Sequence, residues 1–298
     1  MWWRHHEGVT AGVIDVGSNT VRVVVIRDGH ELVSRREMLR LGASIERFGT
    51  IPPEKLDEAA AVVARFAGQA RTAGAGDLQI LITSPGRQAA NGAELAEVLE
   101  RAGRSETRIL TAVEEGLLAF KGALDVASPP SRRLVAVVDV GGGSAQVVVG
   151  TSRSGPLWAR SVDIGSQRLT SRLLDADPPG KKAVAAARAE VERYLEGFEP
   201  PVPMLAYAVG GSARALRRLA GRRLDEENLE ELIALLSTTS TQRLIDDHDV
   251  DPERVRTMTA GTIILAALQH RLDTPLKVVR AGLREGALAE LAAARAAA

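Results

Sequence analysis

Cysteine is absent from the 298-residue sequence. That excludes disulfides, thiolate nucleophiles and cysteine-ligated metals. Aromatic residues make up only 3%, so a core must be packed from Val, Leu, Ile and Ala. Net charge is missing too: 38 Lys and Arg balance 38 Asp and Glu. A balanced chain argues against a dedicated nucleic-acid binder, though a local basic cleft stays open. No apolar run approaches the ~18 residues of a membrane span, so no membrane partner is expected. The opening residues, Met1 to Gly8, lack the apolar centre of a signal peptide, and a cytoplasmic protein is the inference. Trp2, Trp3, His5 and His6 within them are expected to lie in a poorly ordered tail.

What the chain does have is a repeat. Val137 to Val149 reads VVDVGGGSAQVVV: a buried strand, a turn at Gly141, Gly142, Gly143 and Ser144, and a returning strand. Glycines let the backbone approach a ligand closely, and successive N–H groups in such a turn form a concave nest for an anion. Asp139 closes the first strand and could hold a metal ion beside a bound phosphate, since hard cations prefer oxygen ligands. The bland alternative is a glycine-rich hairpin with no ligand. A second copy favours the ligand: Val13 to Val25 reads VIDVGSNTVRVVV, and a displacement of 124 positions lays Asp15 on Asp139 and Gly17 on Gly141. Its turn, Gly17, Ser18, Asn19 and Thr20, adds side-chain donors. Repeats decide architecture. This one is too long for a solenoid and predicts two similar domains, each offering a phosphate hairpin to a shared cleft.

With 45% hydrophobic residues the chain has material for a full core. Asp28-Gly29 predicts a turn into a strand near Glu31 to Arg36, and Leu39 to Gly42 reads as irregular. Pro52-Pro53 opens a helix whose Leu56, Ala59, Val63, Phe66 and Ala70 stripe is core. Leu78 to Thr83 is a buried strand running into Ser84-Pro85-Gly86-Arg87. Ligands bind at such strand ends, and the planar fork of Arg87 suits phosphate, with a surface arginine as the alternative. Glu114 and Glu115 open a helix near Val113. Acids suit that position through the macrodipole, or one faces the cleft as general base.

Ser128-Pro129-Pro130-Ser131 separates the copies. It sets the expected domains at residues 1–125 and 126–298. Met204 to Val209 is a buried strand ending in a third glycine turn, Gly210-Gly211-Ser212, whose helix N-terminus can accept an anion. Arg214, Arg217 and Arg218 share a face of that helix, lining the cleft or merely solvated. Residues 226–246 and 252–271 read as helices, with Gly261 inside the second as a sign of close packing or close ligand approach. Leu276 to Val279 is a last strand before an alanine-rich helix.

VIDVGSNT and VVDVGGGS resemble the two phosphate motifs of the superfamily of sugar kinases, heat-shock protein 70 and actin. Within it the chain resembles the exopolyphosphatase and guanosine pentaphosphate phosphatase family. Thr83, Ser84, Arg87, Ala89 and Asn91, the Glu114-Glu115 pair, Gly210-Gly211 and Leu283-Arg284-Glu285-Gly286 add to the likeness. The resemblance spans residues 12–290 and fits the short form. It implies an α/β fold of two actin-like (ribonuclease H-like) domains, each a mixed sheet flanked by helices, with a cleft between them. It also implies a magnesium-dependent release of terminal phosphate from inorganic polyphosphate or guanosine pentaphosphate. Glu115 corresponds to the catalytic base, and Asp15 and Asp139 to the acids near the magnesium. Arg87 corresponds to a phosphate ligand, and the glycine turns hold terminal phosphates. Homodimers are common in that family, though no stretch here points to one.

Two positions depart from the family pattern. Gln146 stands where a Glu is usual, and Gly116-Leu117 where Ala-Arg is frequent. The lost carboxylate weakens a magnesium or water contact, so a catalytically weak or inactive alarmone- or nucleotide-binding regulatory protein of the same fold is the alternative function. An actin-like ATPase or a sugar kinase is a third reading, without a sugar-binding insertion to support it.

Overall fold

The computed structural model describes residues 10–297. The tail expected at residues 1–8 lies outside the described residues. In chain order the elements are β1 (Thr10–Val16), β2 (Thr20–Arg27), β3 (His30–Met38), α1 (Leu41–Phe48), α2 (Pro53–Thr72), β4 (Asp77–Ile82), α3 (Ser84–Gln88), α4 (Gly92–Gly103), β5 (Thr107–Ile109) and α5 (Ala112–Ala127). They continue with β6 (Val135–Val140), β7 (Ala145–Thr151), β8 (Gly155–Val162), α6 (Ser166–Leu173), α7 (Gly180–Tyr194), β9 (Leu205–Val209), α8 (Gly210–Ala220), β10 (Arg223–Leu224), α9 (Glu226–Thr238), α10 (Thr241–His248), α11 (Val255–Leu272), β11 (Leu276–Val278) and α12 (Leu283–Ala297).

Two sheets carry the repeat. One has the order β3-β2-β1-β4-β5, the other β10-β11-β9-β6-β7-β8. In each, three strands meander antiparallel, and a later strand joins parallel to the first: β4 beside β1, β9 beside β6. A parallel partner requires a crossover, and here helices supply it. The strands buried on both faces, β1 and β6, are the near-continuous Val/Ile runs such burial demands.

The chain divides into two compact units. The first holds the first sheet. On one side Ile14, Val23 and Ile80 pack with Leu56, Val63, Phe66 and Leu99 of α2 and α4. On the other, Val13, Val24 and Leu81 meet Leu118 of α5 and Leu283, Ala287 and Leu288 of α12. The second unit spans Val126–Gly282 and centres on Val138, Val147 and Ala208 under α6 to α11. Gly261 of α11 lies against Ser212 of α8, where a Cβ would be 3.0 Å from the Ser212 Cβ, which explains a glycine inside a helix.

Three expectations are corrected. The closing helix, assigned by sequence to residues 126–298, belongs with the first sheet, because its Leu283, Ala287 and Leu288 cover that sheet's second face. Leu39 to Gly42 is not irregular throughout: α1 starts at Leu41, whose side chain and that of Ile45 are buried. Residues 226–246 form two helices, since Ser240 caps a new one by accepting from the Arg243 N–H. Among the described residues no helix is long and apolar enough to cross a membrane.

Candidate active site

The two glycine turns close in the same way. The Gly17 N–H donates to the Thr20 carbonyl at 3.1 Å, and the Gly141 N–H to the Ser144 carbonyl at 2.9 Å. Turn carbonyls are then taken up by neighbouring segments. The Leu39 and Arg40 N–H groups donate to the Asn19 carbonyl, and that of Gly42 to Ser18. In the second copy the N–H groups of Ser166, Gln167 and Arg168 donate to Gly141 and Gly142. A helix start therefore fixes each turn, which the hairpin pattern alone did not reveal. The Ser18 hydroxyl is buried and lies 2.6 Å from the Ser84 hydroxyl. This ties the first turn to the segment after β4.

The two adjacent glutamates have different jobs. Glu114 forms a capping box with Thr111: the Thr111 N–H donates to its carboxylate at 2.8 Å, and its own N–H donates to the Thr111 hydroxyl at 3.1 Å. Those bonds, with Arg108 beside it, hold its carboxyl below the ordinary carboxylate value. Glu115 is 7% exposed. Arg87 donates to its Oε2 at 2.7 Å and to the Leu110 carbonyl at 2.7 Å. Arg87 is thereby held against the carboxylate. The sequence reading had it gripping phosphate; in the structure its guanidinium bonds Glu115 and the Leu110 carbonyl.

Asp139 lies directly opposite Gln146 in the β6/β7 register, so both side chains occupy one face. Gln146 is 2% exposed. Its amide donates to the hydroxyls of Ser144 at 2.9 Å and Ser161 at 3.3 Å, while its Oε1 is buried with no donor among the described residues. Gly210 has φ +79°, and a Cβ there would collide with the Asp139 carboxylate, so only glycine fits the start of α8 beside that acid. At the next residue, Gly211, a Cβ would strike the guanidinium of Arg254. Arg254, 3.8 Å from Asp251, escaped the sequence reading because it lies far along the chain, just before α11.

Asp15 lies opposite Arg22 in the β1/β2 register. Arg284 of α12 approaches it at 3.7 Å. Among the described residues no three acidic or histidine side chains gather into a metal-binding group. Magnesium does not need one, since it is commonly bound through one or two carboxylates plus substrate phosphates. At Asp139 the donor set fits a hard cation: a carboxylate and, on the same face, a buried amide oxygen that lacks a donor. Asp15 fits less well, because the Arg284 guanidinium stands 3.7 Å from its carboxylate and Arg22 is its partner in the ladder.

Two mixed sheets of matching order, each with an Asp-ended strand and a glycine turn, define an actin-like fold. A solved Ppx/GppA family member from Aquifex aeolicus shares it, with a TM-score of 0.81 at 22% identity over 96% of this chain and 98% of that one. Residues 22–294 match the Ppx/GppA phosphatase family, and the chain belongs to it. Exopolyphosphatase 1 of Mycobacterium leprae is 28% identical, over 92% of this chain and 87% of its own length. The guanosine-5'-triphosphate,3'-diphosphate pyrophosphatase of Pseudoalteromonas translucida is 23% identical over 93% of this chain, which spans only 57% of that relative.

Proposed function

We propose that the protein hydrolyses phosphoanhydride bonds, releasing terminal orthophosphate from inorganic polyphosphate or guanosine pentaphosphate. The observation that carries the reading is Glu115, a buried carboxylate oriented by Arg87 at 2.7 Å in a family of phosphatases. The names of the mycobacterial and Pseudoalteromonas relatives supply the substrate class.

In this reading water attacks the terminal phosphorus, Glu115 accepts the proton, and the bridging P–O bond breaks toward the shortened chain. Phosphoryl transfer asks for positioning and charge neutralisation more than covalent steps. Arg87 keeps the Glu115 carboxylate in one rotamer. The N–H groups of Ser18, Asn19 and Thr20 serve one phosphoryl group, and those of Gly142, Gly143 and Ser144 another, in turns closed by the Gly17 and Gly141 N–H groups. Gly210 and Gly211 leave room for backbone approach beside Asp139. Magnesium held by Asp139 would neutralise phosphate oxygens as charge builds on them.

Phosphate release from polyphosphate and from guanosine pentaphosphate, for wild type and Glu115→Gln, tests the assignment. A loss of about 100-fold or more is expected for removal of a general base. Equal release by both proteins would refute the role of Glu115. A second reading, a binder without turnover, is favoured by one observation: the partner of Asp139 across β6/β7 is the neutral Gln146. Calorimetry showing tight guanosine tetraphosphate binding with no phosphate release would select it.

A further inference from the structure

Three helices of the second unit enclose a trough that no step of phosphate release uses. Its volume is about 300 Å³, at the lower end of small-ligand sites. Ile263, Ala266, Ala267 and His270 line it from α11; their spacing of three, four and seven residues puts them on one helix face. From α7 come Arg188 and Glu192, from α9 Glu226 and Glu230. Each of those pairs is four residues apart, so each shares one face of its own helix. The space exists because the α11 stripe loses bulk at the two alanines. Other buried positions of that helix carry Ile264, Leu265, Leu268 and Leu272.

The walls are acidic, with three glutamates against one arginine. Arg188 pairs with Glu230 at 2.5 Å, and Glu192 with Arg271 at 2.5 Å. Glu226 lies in the first turn of α9, where the macrodipole alone favours an acid, so it names no ligand by itself. Gln269 does. It is 8% exposed and lines the trough, yet its side-chain amide has no hydrogen-bond partner among the described residues. A buried amide left unpaired is costly. Water could satisfy it, but water makes no use of an apolar floor.

These features select the ligand. An anion would meet three carboxylates. A single metal ion is equally unsuited, because among the described residues no three acids or histidines converge on one point. Acids spread along two walls above an apolar floor suit a molecule with a cationic group at each end and methylenes between. Ammonium groups are compact cations with three donors each, and they need no bidentate partner.

We infer that the trough between α7, α9 and α11 is a binding site for a small aliphatic diamine. Its methylenes cover Ile263, Ala266 and Ala267, its ammonium groups meet the carboxylates of α9 and α7, and the Gln269 carbonyl accepts one further N–H. The inference does not rest on the phosphohydrolase reading, since the binding measured involves no phosphate compound.

Calorimetry on the full chain tests it with 1,4-diaminobutane and n-butylamine, at about 0.15 M salt to screen diffuse surface attraction. Wild type should bind the diamine saturably, and n-butylamine about threefold more weakly through loss of one exposed ion pair. Ala267→Leu fills the trough without touching a charge and should weaken diamine binding about tenfold or more. Glu226→Gln should weaken it about threefold. Glu227→Gln removes the same charge one residue on, outside the lining, and should bind as wild type does. Circular dichroism checks that each variant is folded. If Ala267→Leu is not, the two glutamate variants decide, because both side chains are exposed. The inference is overturned by the absence of saturable heat with the diamine, by Ala267→Leu binding as wild type does, by equal effects of the two glutamate variants, or by n-butylamine binding as tightly as the diamine.

Discussion

Replacing Arg87 by Met should destabilise the region around α5 far more than replacing its partner. The Glu115 side chain is 9% exposed and that of Arg87 21%. Removing the guanidinium takes the Arg87 charge away from a buried carboxylate, and breaking such pairs costs about 3–5 kcal/mol. The partial exposure of Arg87 places the expected loss at the lower end, about 3 kcal/mol. Glu115→Gln removes a charge but leaves a hydrogen-bonding amide, and Arg87 keeps its bond to the Leu110 carbonyl; about 1 kcal/mol is expected. In the double variant neither charge of the pair remains, so about 2 kcal/mol is expected, leaving a coupling of about 2 kcal/mol between the two sites. Native-state hydrogen exchange of peptides from α5 reads this locally, which matters in a chain of two compact units. A loss of 3 kcal/mol corresponds to exchange about 150-fold faster. Exchange in Arg87→Met within about threefold of wild type, or single-variant effects that add within about 0.5 kcal/mol, would refute the claim that the pair holds Glu115.

Three further outcomes are expected. Gly286→Ala should destabilise the protein by about 1–3 kcal/mol in thermal melts, because its Cβ would collide with the Leu118 carbonyl; helix propensity alone predicts a gain of about 1 kcal/mol, so the sign decides. Thr111→Ala should cost about 1 kcal/mol through loss of the capping box with Glu114. The Glu114 carboxyl is held low by Thr111, so its stabilisation is present above the unfolded carboxylate value and is lost as pH falls through the folded one; denaturation at pH 7 and pH 3 should show the gap closing in acid. Asp125 behaves oppositely: burial raises its carboxyl, so charging it at neutral pH opposes folding. Asp125→Asn should stabilise the protein at pH 7 by less than about 1 kcal/mol at a half-buried site, read as a small rise in melting temperature, with the gain vanishing in acid where both states are protonated.

Much of the architecture was legible because strand burial leaves a plain mark. The Val-rich runs at Val13–Val25 and Val137–Val149 became β1/β2 and β6/β7, and the repeat announced two sheets of like order. The family resemblance singled out Glu115 of the two adjacent acids, but their differing contacts, Glu114 with Thr111 and Glu115 with Arg87, became visible only in three dimensions. Thr111, three residues before Glu114, was a visible capping signal; Arg87 lies far along the chain from Glu115, and its contact with that acid was not.

The amino-acid sequence by itself determined the family, the paired hairpins and the residue types at their turns, because these are local patterns of burial and backbone freedom. Only the tertiary structure decided which charges meet. It brought the final helix back onto the first sheet, set Arg284 beside Asp15, and laid Gly210 against Asp139. The reason is physical: hydrophobic periodicity names the face a helix buries but not the sheet that covers it, and charge pairing follows from that choice.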